Sequence, residues 1–314
     1  MPVLASGLDY VDLLFLGRQQ IIATAILHGT AGVALVDPGP STTLQTLTVA
    51  LQRTGIAFSD LREVLLTHIH LDHAGATGTI VERHPHIKVT VHERGAPHIV
   101  DPSKLLASAT RLYGQDMDTL WGEVKPVPAA SLHVVTGGET LSIVGREIGV
   151  AYTPGHASHH VSFLDVASRV AFVGDTAGIL RGSAPYVMPP TPPPDIDLEA
   201  WHASADRILE WKPDTLFLTH FGPHRGGRPH FQALFENIMA WSRVVQRLLA
   251  NPSLSDDDRQ RAFVEDELLE LRKRLGETEA DAYQRAGGLS YSYQGLARYW
   301  RKRTAGTRLD SPDG

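Results

Sequence analysis

Short apolar runs separated by glycine and proline fill the first part of the chain. The runs VDLLFLG, IIATAILHG, GVALVDPG, REVLLTH and IKVTVHE have the length and the bounding residues of buried strands. Ser41 is suited to cap a helix over TTLQTLTVALQRTG, which Gly55 would end, and a further helix is predicted over GATGTIVERH. Strands and helices are therefore mixed from the start of the chain.

The same mixture returns further along. ETLSIVG with EIGVAYTPGH, and HHVSFLD with SRVAFVGD, predict two hairpins, while residues 95–130 predict an insertion of short helices and loops. The proline-rich loop MPPTPPPD precedes a helix predicted near residues 198–211, and DTLFLTHFG predicts one more strand. Two such groups favour an α/β fold with two sheets faced by helices over a single wound parallel sheet.

After Pro229 the strand signals end and helical periodicity takes over. Val264, Leu268, Leu271 and Leu275 fall on one stripe of a helix. The sequence therefore predicts a main domain at residues 1–228 and a C-terminal helical extension at residues 229–314.

Composition removes several classes of function. The 314 residues include no cysteine, which excludes disulfides, thiol catalysis and cysteine-ligated metals. The net charge is −6 and no run of lysine and arginine is present, so we expect no nucleic-acid partner. The N-terminus lacks the pattern of a signal peptide, and no apolar run approaches the ~20 residues of a membrane span. We therefore expect a cytoplasmic protein with no membrane partner.

Histidine is unusually frequent in this chain, which contains 16 histidine residues. Three of them and an aspartate occupy six consecutive positions in the pattern His68-x-His70-x-Asp72-His73. The apolar runs VLLTH, GVAYTPGH, VAFVGD and LFLTH end at residues suited to bind metal, namely His68, His156, Asp175 and His220. A lone histidine at a strand end is usually structural, but this cluster is difficult to explain by chance. Imidazole and carboxylate are the zinc ligands that remain when cysteine is absent.

This set of motifs resembles the metallo-β-lactamase superfamily, particularly its glyoxalase II-like and lactonase-like members. The His-x-His-x-Asp-His motif is followed in the same order by TPGH, VGD and LTH, and LVDPG resembles the early Asp-x-Gly turn of these proteins. The resemblance spans about residues 10–225. It implies an αββα sandwich, followed here by the C-terminal helical extension, with the catalytic domain at residues 1–228.

The resemblance also implies a site with two divalent ions. One ion would take His68, His70 and His156, and the other would take Asp72, His73 and His220. Asp175 would bridge both ions, and Asp37 would orient a ligand from behind. Asp72 and Asp175 are the residues expected to take part in catalysis. We expect zinc, with manganese or iron as alternatives.

The implied activity is hydrolysis of a carboxylic ester, lactone or thioester by a metal-bridging hydroxide, with promiscuity toward related substrates. Phosphodiester or phosphotriester hydrolysis at the same site is the alternative, and a non-catalytic metal-binding scaffold is an alternative of another class. The partner would be a small-molecule substrate, and a homodimer stays open. Tyr186 and His224 are candidates for the substrate pocket. His159 and His160 are expected at the surface or the cleft rim, and Asp165 is expected in a turn.

Overall fold

The first of two sheets uses the N-terminal strands in chain order. The computed structural model describes residues 1–182 and 186–309. Within this part of the chain the first sheet contains seven strands: β1 (Val3–Ala5), β2 (Leu8–Asp12), β3 (Ala23–Gly29), β4 (Gly32–Val36), β5 (Leu61–Leu65), β6 (Lys88–His92) and β7 (Leu132–Val135). Strands β1 to β4 pair antiparallel, and β4 to β7 pair parallel.

The second sheet is formed by the later strands. In the described residues it contains β8 (Thr140–Ile143), β9 (Arg146–Tyr152), β10 (Val161–Asp165), β11 (Val170–Phe172), β14 (Thr215–Leu218) and β15 (Gly222–His224), in the order β15-β14-β11-β10-β9-β8. The hairpins predicted from the sequence are confirmed as β8–β9 and β10–β11. Two short strands, β12 (Ile179–Leu180) and β13 (Val187–Met188), pair separately.

Helices cover the outer face of each sheet. Those before residue 140 are α1 (Leu44–Arg53), α2 (Leu71–Ala74), α3 (Thr77–Arg83), α4 (Ala96–Val100), α5 (Ser103–Tyr113) and α6 (Met117–Leu120). Those after it are α7 (Leu198–Glu210), α8 (Gly227–Leu249), α9 (Asp256–Leu275), α10 (Glu277–Gly287) and α11 (Leu289–Leu309). None of the helices in the described part of the chain is long and apolar enough to cross a membrane.

Alternation along the strands explains the four layers. Ala25 and Leu27 on β3 face the second sheet, where they share a core with Phe163. Ile26, between them, faces the opposite way and packs in the same cluster as Leu47 of α1. Successive side chains of a strand point to opposite faces, so a strand covered on both faces is apolar throughout and shows no alternation in its sequence. The αββα sandwich is therefore confirmed.

The C-terminal helices belong to the same core as the second sheet. Leu216 of β14 lies in one apolar cluster with Trp201 of α7, Trp241 of α8 and Phe263 of α9. Leu271 of the predicted stripe is buried in this cluster, and its three companions pack against it. The helical extension is confirmed over the described residues; the boundary at residue 228 stays a prediction, and residues 310–314 lie outside the described part.

Two local predictions differ from the structure. Ser41 begins a 3-10 turn, Ser41–Thr43, and does not cap α1; its hydroxyl instead donates to the carbonyl of Glu123 at 2.6 Å. Asp165 is fully buried at the end of β10, where it pairs with Arg146, and does not lie in an exposed turn. In both cases a distant segment supplies a partner that the local sequence does not reveal.

Candidate metal centre

The seven predicted ligands converge at one edge of the sandwich. The first four lie directly after β5, in a loop and in the short helix α2: His68, His70, Asp72 and His73. The other three follow β9, β11 and β14: His156, Asp175 and His220. Each apolar strand anchors the backbone in the core, and the polar residue comes just beyond the strand, where its side chain reaches the edge.

Three imidazoles form the first group. His70 Nδ1 lies 3.0 Å from His68 Nε2 and 3.0 Å from His156 Nε2. Three nitrogens that each stand about 2.0–2.1 Å from one zinc ion are also close neighbours of one another. Two separate loops would thus provide three of the four ligands of a tetrahedral site.

A carboxylate and two imidazoles form the second group. His220 Nε2 lies 3.2 Å from Asp72 Oδ2, and His73 Nε2 lies 3.7 Å from the same oxygen. The candidate ligand atoms of this group, like those of the first, all lie within 4.8 Å of one another. These two groups have the membership that the resemblance implies.

Asp175 lies between the two groups. Its Oδ1 is 3.2 Å from His73 Nε2 and 3.5 Å from His220 Nε2, while its Oδ2 is 3.4 Å from His156 Nε2. One oxygen therefore faces the second group and the other faces the first. A carboxylate can offer one atom to each of two ions in this position, which an imidazole cannot do.

Two buried atoms show that this cluster is incomplete without a bound group. His73 Nε2 and Asp175 Oδ1 are buried, and neither has a hydrogen-bond partner of acceptable geometry. Buried polar atoms without a partner are costly and rare in native proteins. Both atoms point into the centre of the cluster, where a divalent cation would satisfy them, so the residues fit a metal site.

Hydrogen bonds on the far side of three histidines fix the rings. His156 Nδ1 donates to the carbonyl of Pro190 at 2.8 Å, and His220 Nδ1 donates to that of Ile21 at 2.6 Å. His73 Nδ1 lies 2.8 Å from Asp37 Oδ2. With the proton on Nδ1, each ring turns a free Nε2 lone pair toward the centre, as metal-binding histidines usually do.

Asp37 is the hub of this supporting network. It is fully buried and has a left-handed φ of 52°, a strained conformation for a residue with a side chain. Besides His73, its carboxylate accepts hydrogen bonds from the amide and hydroxyl of Thr67, at 2.8 and 2.7 Å, and from the hydroxyl of Thr219 at 2.8 Å. Both oxygens of the buried carboxylate are thus satisfied, and Asp37 contacts the candidate ligand His73 on the side away from the cluster.

The protonation states of three candidate ligands favour cation binding directly. Burial, together with the neighbouring histidines, lowers the pKa of His68 well below its ordinary value, and burial with His156 lowers the pKa of His70 to about 4. Burial opposes ionisation of Asp72, but His73 and His220 outweigh it and hold its pKa at about 2. Neutral imidazoles and ionised carboxylates are the forms that bind metal. For His73 and His220, burial lowers the pKa, but Asp175 and Asp72 outweigh it and raise the pKa, so a metal ion would displace a proton from each of these two rings.

Comparison with known proteins identifies the family of this chain. The model of the metallo-beta-lactamase superfamily matches residues 17–220, a range that includes all seven candidate ligands. The chain belongs to the metallo-beta-lactamase superfamily. This superfamily contains metal-dependent hydrolases and binds divalent metals.

Individual relatives agree with the superfamily assignment. The metallo-beta-lactamase fold-containing protein ST1585 of Sulfurisphaera tokodaii is 28% identical over 207 residues, which cover 65% of this chain and 74% of the relative. A hydroxyacylglutathione hydrolase of Prochlorococcus marinus is 27% identical over 157 residues, which cover 50% of this chain and 49% of that protein. The crystal structure of the metallo-beta-lactamase family protein TTHA1429 from Thermus thermophilus is similar with a TM-score of 0.71 and 23% identity, and the match covers 96% of both chains. This last similarity bears on the fold alone.

The two histidines beside the superfamily motif differ in position: His159 lines the cavity described below, in keeping with its predicted place at the cleft rim, whereas His160 does not line it. His159 and His160 are buried, and neither is at the surface. The amide of Asp175 donates to His160 Nε2 at 3.3 Å, and His160 Nδ1 lies 3.0 Å from the hydroxyl of Thr153. His160 therefore supports the backbone of Asp175. The prediction for His160 is therefore wrong, because a buried turn, not solvent, faces this residue at the start of β10.

The two candidates for the substrate pocket also lie elsewhere. Tyr186 is buried in the apolar core, with its ring edge-on to that of Tyr283 at 5.5 Å. His224 is half-buried beside His230, at 4.6 Å between ring centroids. Neither residue lines the cavity described next. The helices after residue 227 cover Tyr186, and that packing could not be read from the loop sequence.

A cavity of about 530 Å³ opens beside the metal cluster, next to His70. It is walled by the insertion before residue 130, by the proline-rich loop at Pro192–Pro194 and by α11. Its lining includes four cationic side chains and a tyrosine that the sequence analysis did not single out: Arg94, Lys104, Arg111, Arg298 and Tyr113. In the sequence, this wall is indicated only by Lys104 and Arg111, which are seven residues apart and so lie on one face of a helix.

Tyr113 lines the same cavity as the candidate ligand His70. Burial raises its pKa well above the ordinary value of 10.0, and the carboxylates of Asp72 and Asp175 raise it further. The ring also packs edge-on against Trp121 at 5.0 Å. Tyr113 thus stays protonated at neutral pH and offers a hydrogen-bond donor within electrostatic reach of both carboxylates.

Proposed function

We propose that this chain is a dinuclear metal-dependent hydrolase of carboxylic esters, lactones or thioesters. The observation that carries the proposal is the position of Asp175 between two ligand groups, one of which includes His70, a residue that also lines a cavity large enough for a small molecule. Pockets of about 300–1,000 Å³ are typical of small-molecule sites. The partner is therefore a small-molecule substrate.

The residues divide into two sets around one shared carboxylate. His68, His70 and His156 would hold one ion; Asp72, His73 and His220 would hold the other. Two divalent ions supply an activated water nucleophile at neutral pH and an electrophile for the carbonyl oxygen. We propose zinc, with manganese or iron as alternatives, because these donors accept several first-row ions.

The chain's own side chains then perform orientation and proton handling. Asp72 is ionised and its side chain is partly exposed, so it can accept a hydrogen bond from an incoming water but holds no proton to give. Tyr113 is protonated and can donate to an oxygen of the substrate in the cavity. Asp37 and the carbonyls of Pro190 and Ile21 keep the imidazoles in place, which removes the cost of ordering them during the reaction.

The similarity to a hydroxyacylglutathione hydrolase supports acyl substrates over phosphoesters, although the match covers about half of that protein. Phosphodiester or phosphotriester hydrolysis is the second candidate, because an electrophilic site of this kind also suits a phosphoryl oxygen. A non-catalytic scaffold is disfavoured, because such a protein would have no need for a cavity beside a complete ligand set.

A substrate panel on the metal-loaded protein tests the bond class. The panel contains a lactone, a thioester, and a carboxylic ester and a phosphodiester that release the same alcohol, each with a chelated sample as control. We expect acyl substrates to exceed the phosphodiester by about 10-fold or more in kcat/KM, which corresponds to roughly 1.4 kcal/mol. A preference for the phosphodiester would reverse the assignment of bond class, and two bound ions without any turnover would favour the scaffold.

A further inference from the structure

Positive charge is concentrated in the cavity beside the metal cluster. The net charge of the chain is −6, yet four cationic side chains line this one cavity. They come from three separate parts of the chain: Arg94 after β6, Lys104 and Arg111 on α5, and Arg298 on α11. Asp195 is the one carboxylate in the lining, and it is engaged by the hydroxyl of Ser158 at 2.6 Å.

The cavity-lining face of α5 presents two of these charges together. Lys104 and Arg111 are seven positions apart, which is two helical turns, and Ser108 and Leu112 line the cavity from the same helix. Both cationic side chains are exposed. Substituting them removes charge from the cavity and leaves the apolar core unchanged.

The other two cations are oriented by neighbours that carry no charge. The guanidinium of Arg94 lies 5.5 Å above the ring of Tyr152, and Arg298 Nε donates to the carbonyl of Pro194 at 3.3 Å. In the described part of the chain, no carboxylate forms an ion pair with any of the four cations. Elsewhere the protein does pair its arginines, as at Arg146 with Asp165 and Arg259 with Asp256.

Four exposed cations around one cavity, none of them in an ion pair within 4.0 Å in the described part of the chain, create a positive potential that favours an anion there. Guanidinium and ammonium groups bind carboxylate and phosphate with short, charge-assisted hydrogen bonds. We infer that the substrate is an anionic acyl compound, whose carboxylate or phosphate group is bound by Arg94, Lys104, Arg111 and Arg298 while its carbonyl lies at the His70 end. This inference rests on the proposed function. The reaction adds water across the acyl bond, giving a carboxylic acid and the alcohol or thiol, which takes the second proton.

Matched thioesters test this substrate class. The glutaryl and pentanoyl thioesters of N-acetylcysteamine differ in a terminal carboxylate, and pentanoyl thioesters of phosphopantetheine and pantetheine differ in a phosphate. We expect at least one anionic member to exceed its neutral partner by about 10-fold or more in kcat/KM, mainly through KM, and to lose this advantage at high salt. A preference within the glutaryl and pentanoyl pair would identify the bound anion as a carboxylate. A preference within the phosphopantetheine and pantetheine pair would identify it as a phosphate.

Charge-removing variants assign the preference to the cavity. Lys104→Gln combined with Arg111→Gln is expected to reduce the anionic-to-neutral ratio by about 10-fold. The matched control combines Arg53→Gln with Arg243→Gln, which removes two exposed cations outside the cavity lining and should keep the ratio. Equal kcat/KM for both members of both pairs, or the same ratio in the cavity variant and the wild type, would overturn the inference while leaving the hydrolase intact.

A binding measurement separates failure of the inference from failure of the proposed function. Glutarate and pyrophosphate are added separately to metal-free protein, and the melting temperature is recorded for the wild type, the cavity variant and the control. At least one anion should raise the melting temperature of the wild type and the control, with a smaller rise for the cavity variant. No rise for either anion in the wild type would overturn the inference, even if every thioester is hydrolysed. Anion binding without turnover of any substrate would overturn the hydrolase proposal instead.

Discussion

Asp175 is the residue that we expect to join the two halves of the candidate metal centre. Its oxygens face the two ligand groups from opposite sides, at 3.2 Å from His73 Nε2 and 3.4 Å from His156 Nε2. Asp175→Asn keeps the shape but removes the charge that would offset repulsion between two dications. We expect the variant to lose at least one ion and to lose activity on the order of 10²-fold or more, as measured by elemental analysis and kcat.

The control for Asp175→Asn has to be a carboxylate that is not needed for folding. Asp165 does not qualify, because it is buried and paired with Arg146. Asp257 on α9 is exposed, and Asp257→Asn should keep both ions and full turnover. Two bound ions and normal turnover in Asp175→Asn would show that this carboxylate does not bridge.

Neighbouring histidines in one segment are expected to behave differently. His156 Nε2 lies 3.0 Å from His70 Nδ1, whereas His160 Nε2 accepts a hydrogen bond from the amide of Asp175. We expect His156→Ala to lose one of two ions. His160→Gln should keep both, because the glutamine oxygen can still accept that hydrogen bond. Metal content measured after dialysis distinguishes the two, and the reverse pattern would refute the assignment.

The residues that the sequence identified share a local signal, and those that it missed do not. His68, Asp175 and His220 each end an apolar strand, so the strand and the polar terminus are read from one short segment. Arg94 and Arg298 are ordinary arginines in their own segments. They share a cavity only because β6 and α11 meet in space, and single-sequence patterns contain no information about that meeting.

At the scale of elements, α9 contains a carboxyl whose environment makes stability depend on pH. Burial raises the pKa of Glu267 from 4.5 to about 7, despite a hydrogen bond from Trp241. Below pH 4.5 the carboxyl of Glu267 is mostly protonated in both the folded and the unfolded chain. Between pH 4.5 and about 7 the unfolded chain ionises first, so this group makes stability fall over that window and stay lower above it.

Glu267→Gln removes this dependence. Because the group is only partly buried, we expect the free energy of unfolding to rise by about 1–2 kcal/mol at pH 8 and to stay close to the wild-type value at pH 5. Chemical denaturation at the two pH values measures the difference. Glu265→Gln, at an exposed position of the same helix, should give no such difference. A lower stability of Glu267→Gln at pH 8 would contradict the argument.

Elements were predicted well where their pattern was periodic or their ends were marked. The hairpins β8–β9 and β10–β11 follow from short apolar runs with turn residues between them. The start of α1 was misplaced, because the hydroxyl of Ser41 has a tertiary partner in Glu123. Where a side chain has two competing hydrogen bonds, the sequence indicates only the local one.

At the scale of the whole molecule, the metal ions would connect the two sheets. Each ligand group takes two residues from the segment after β5 and one from the segments after β9 or β14. Because the unfolded chain lacks this geometry, bound ions stabilise the folded state. At a free metal concentration about 100 times Kd, one site contributes roughly 2.7 kcal/mol, which for a chain of this length is a rise in melting temperature of about 4 °C.

Melting curves of chelated and reloaded protein measure this effect, with metal content determined on the same samples. We expect two ions per chain in the reloaded sample. The matched control is His68→Ala combined with His220→Ala, which removes one ligand from each group and should abolish the rise. Identical melting of the chelated and reloaded wild type would contradict metal bridging between the sheets.

The carboxylate of Asp37 has a consequence for how mutational effects combine. It accepts hydrogen bonds from Thr67, which follows a strand of the first sheet, and from Thr219, which follows a strand of the second. Loss of either hydroxyl would allow the carboxylate of Asp37 to shift, and His73, which contacts that carboxylate, would shift with it. The energetic effects of changes at these two threonines are therefore not additive, although the residues lie in opposite halves of the chain. A change at one threonine thus alters the energetic cost of a change at the other, and the two halves of this fold are coupled at this edge.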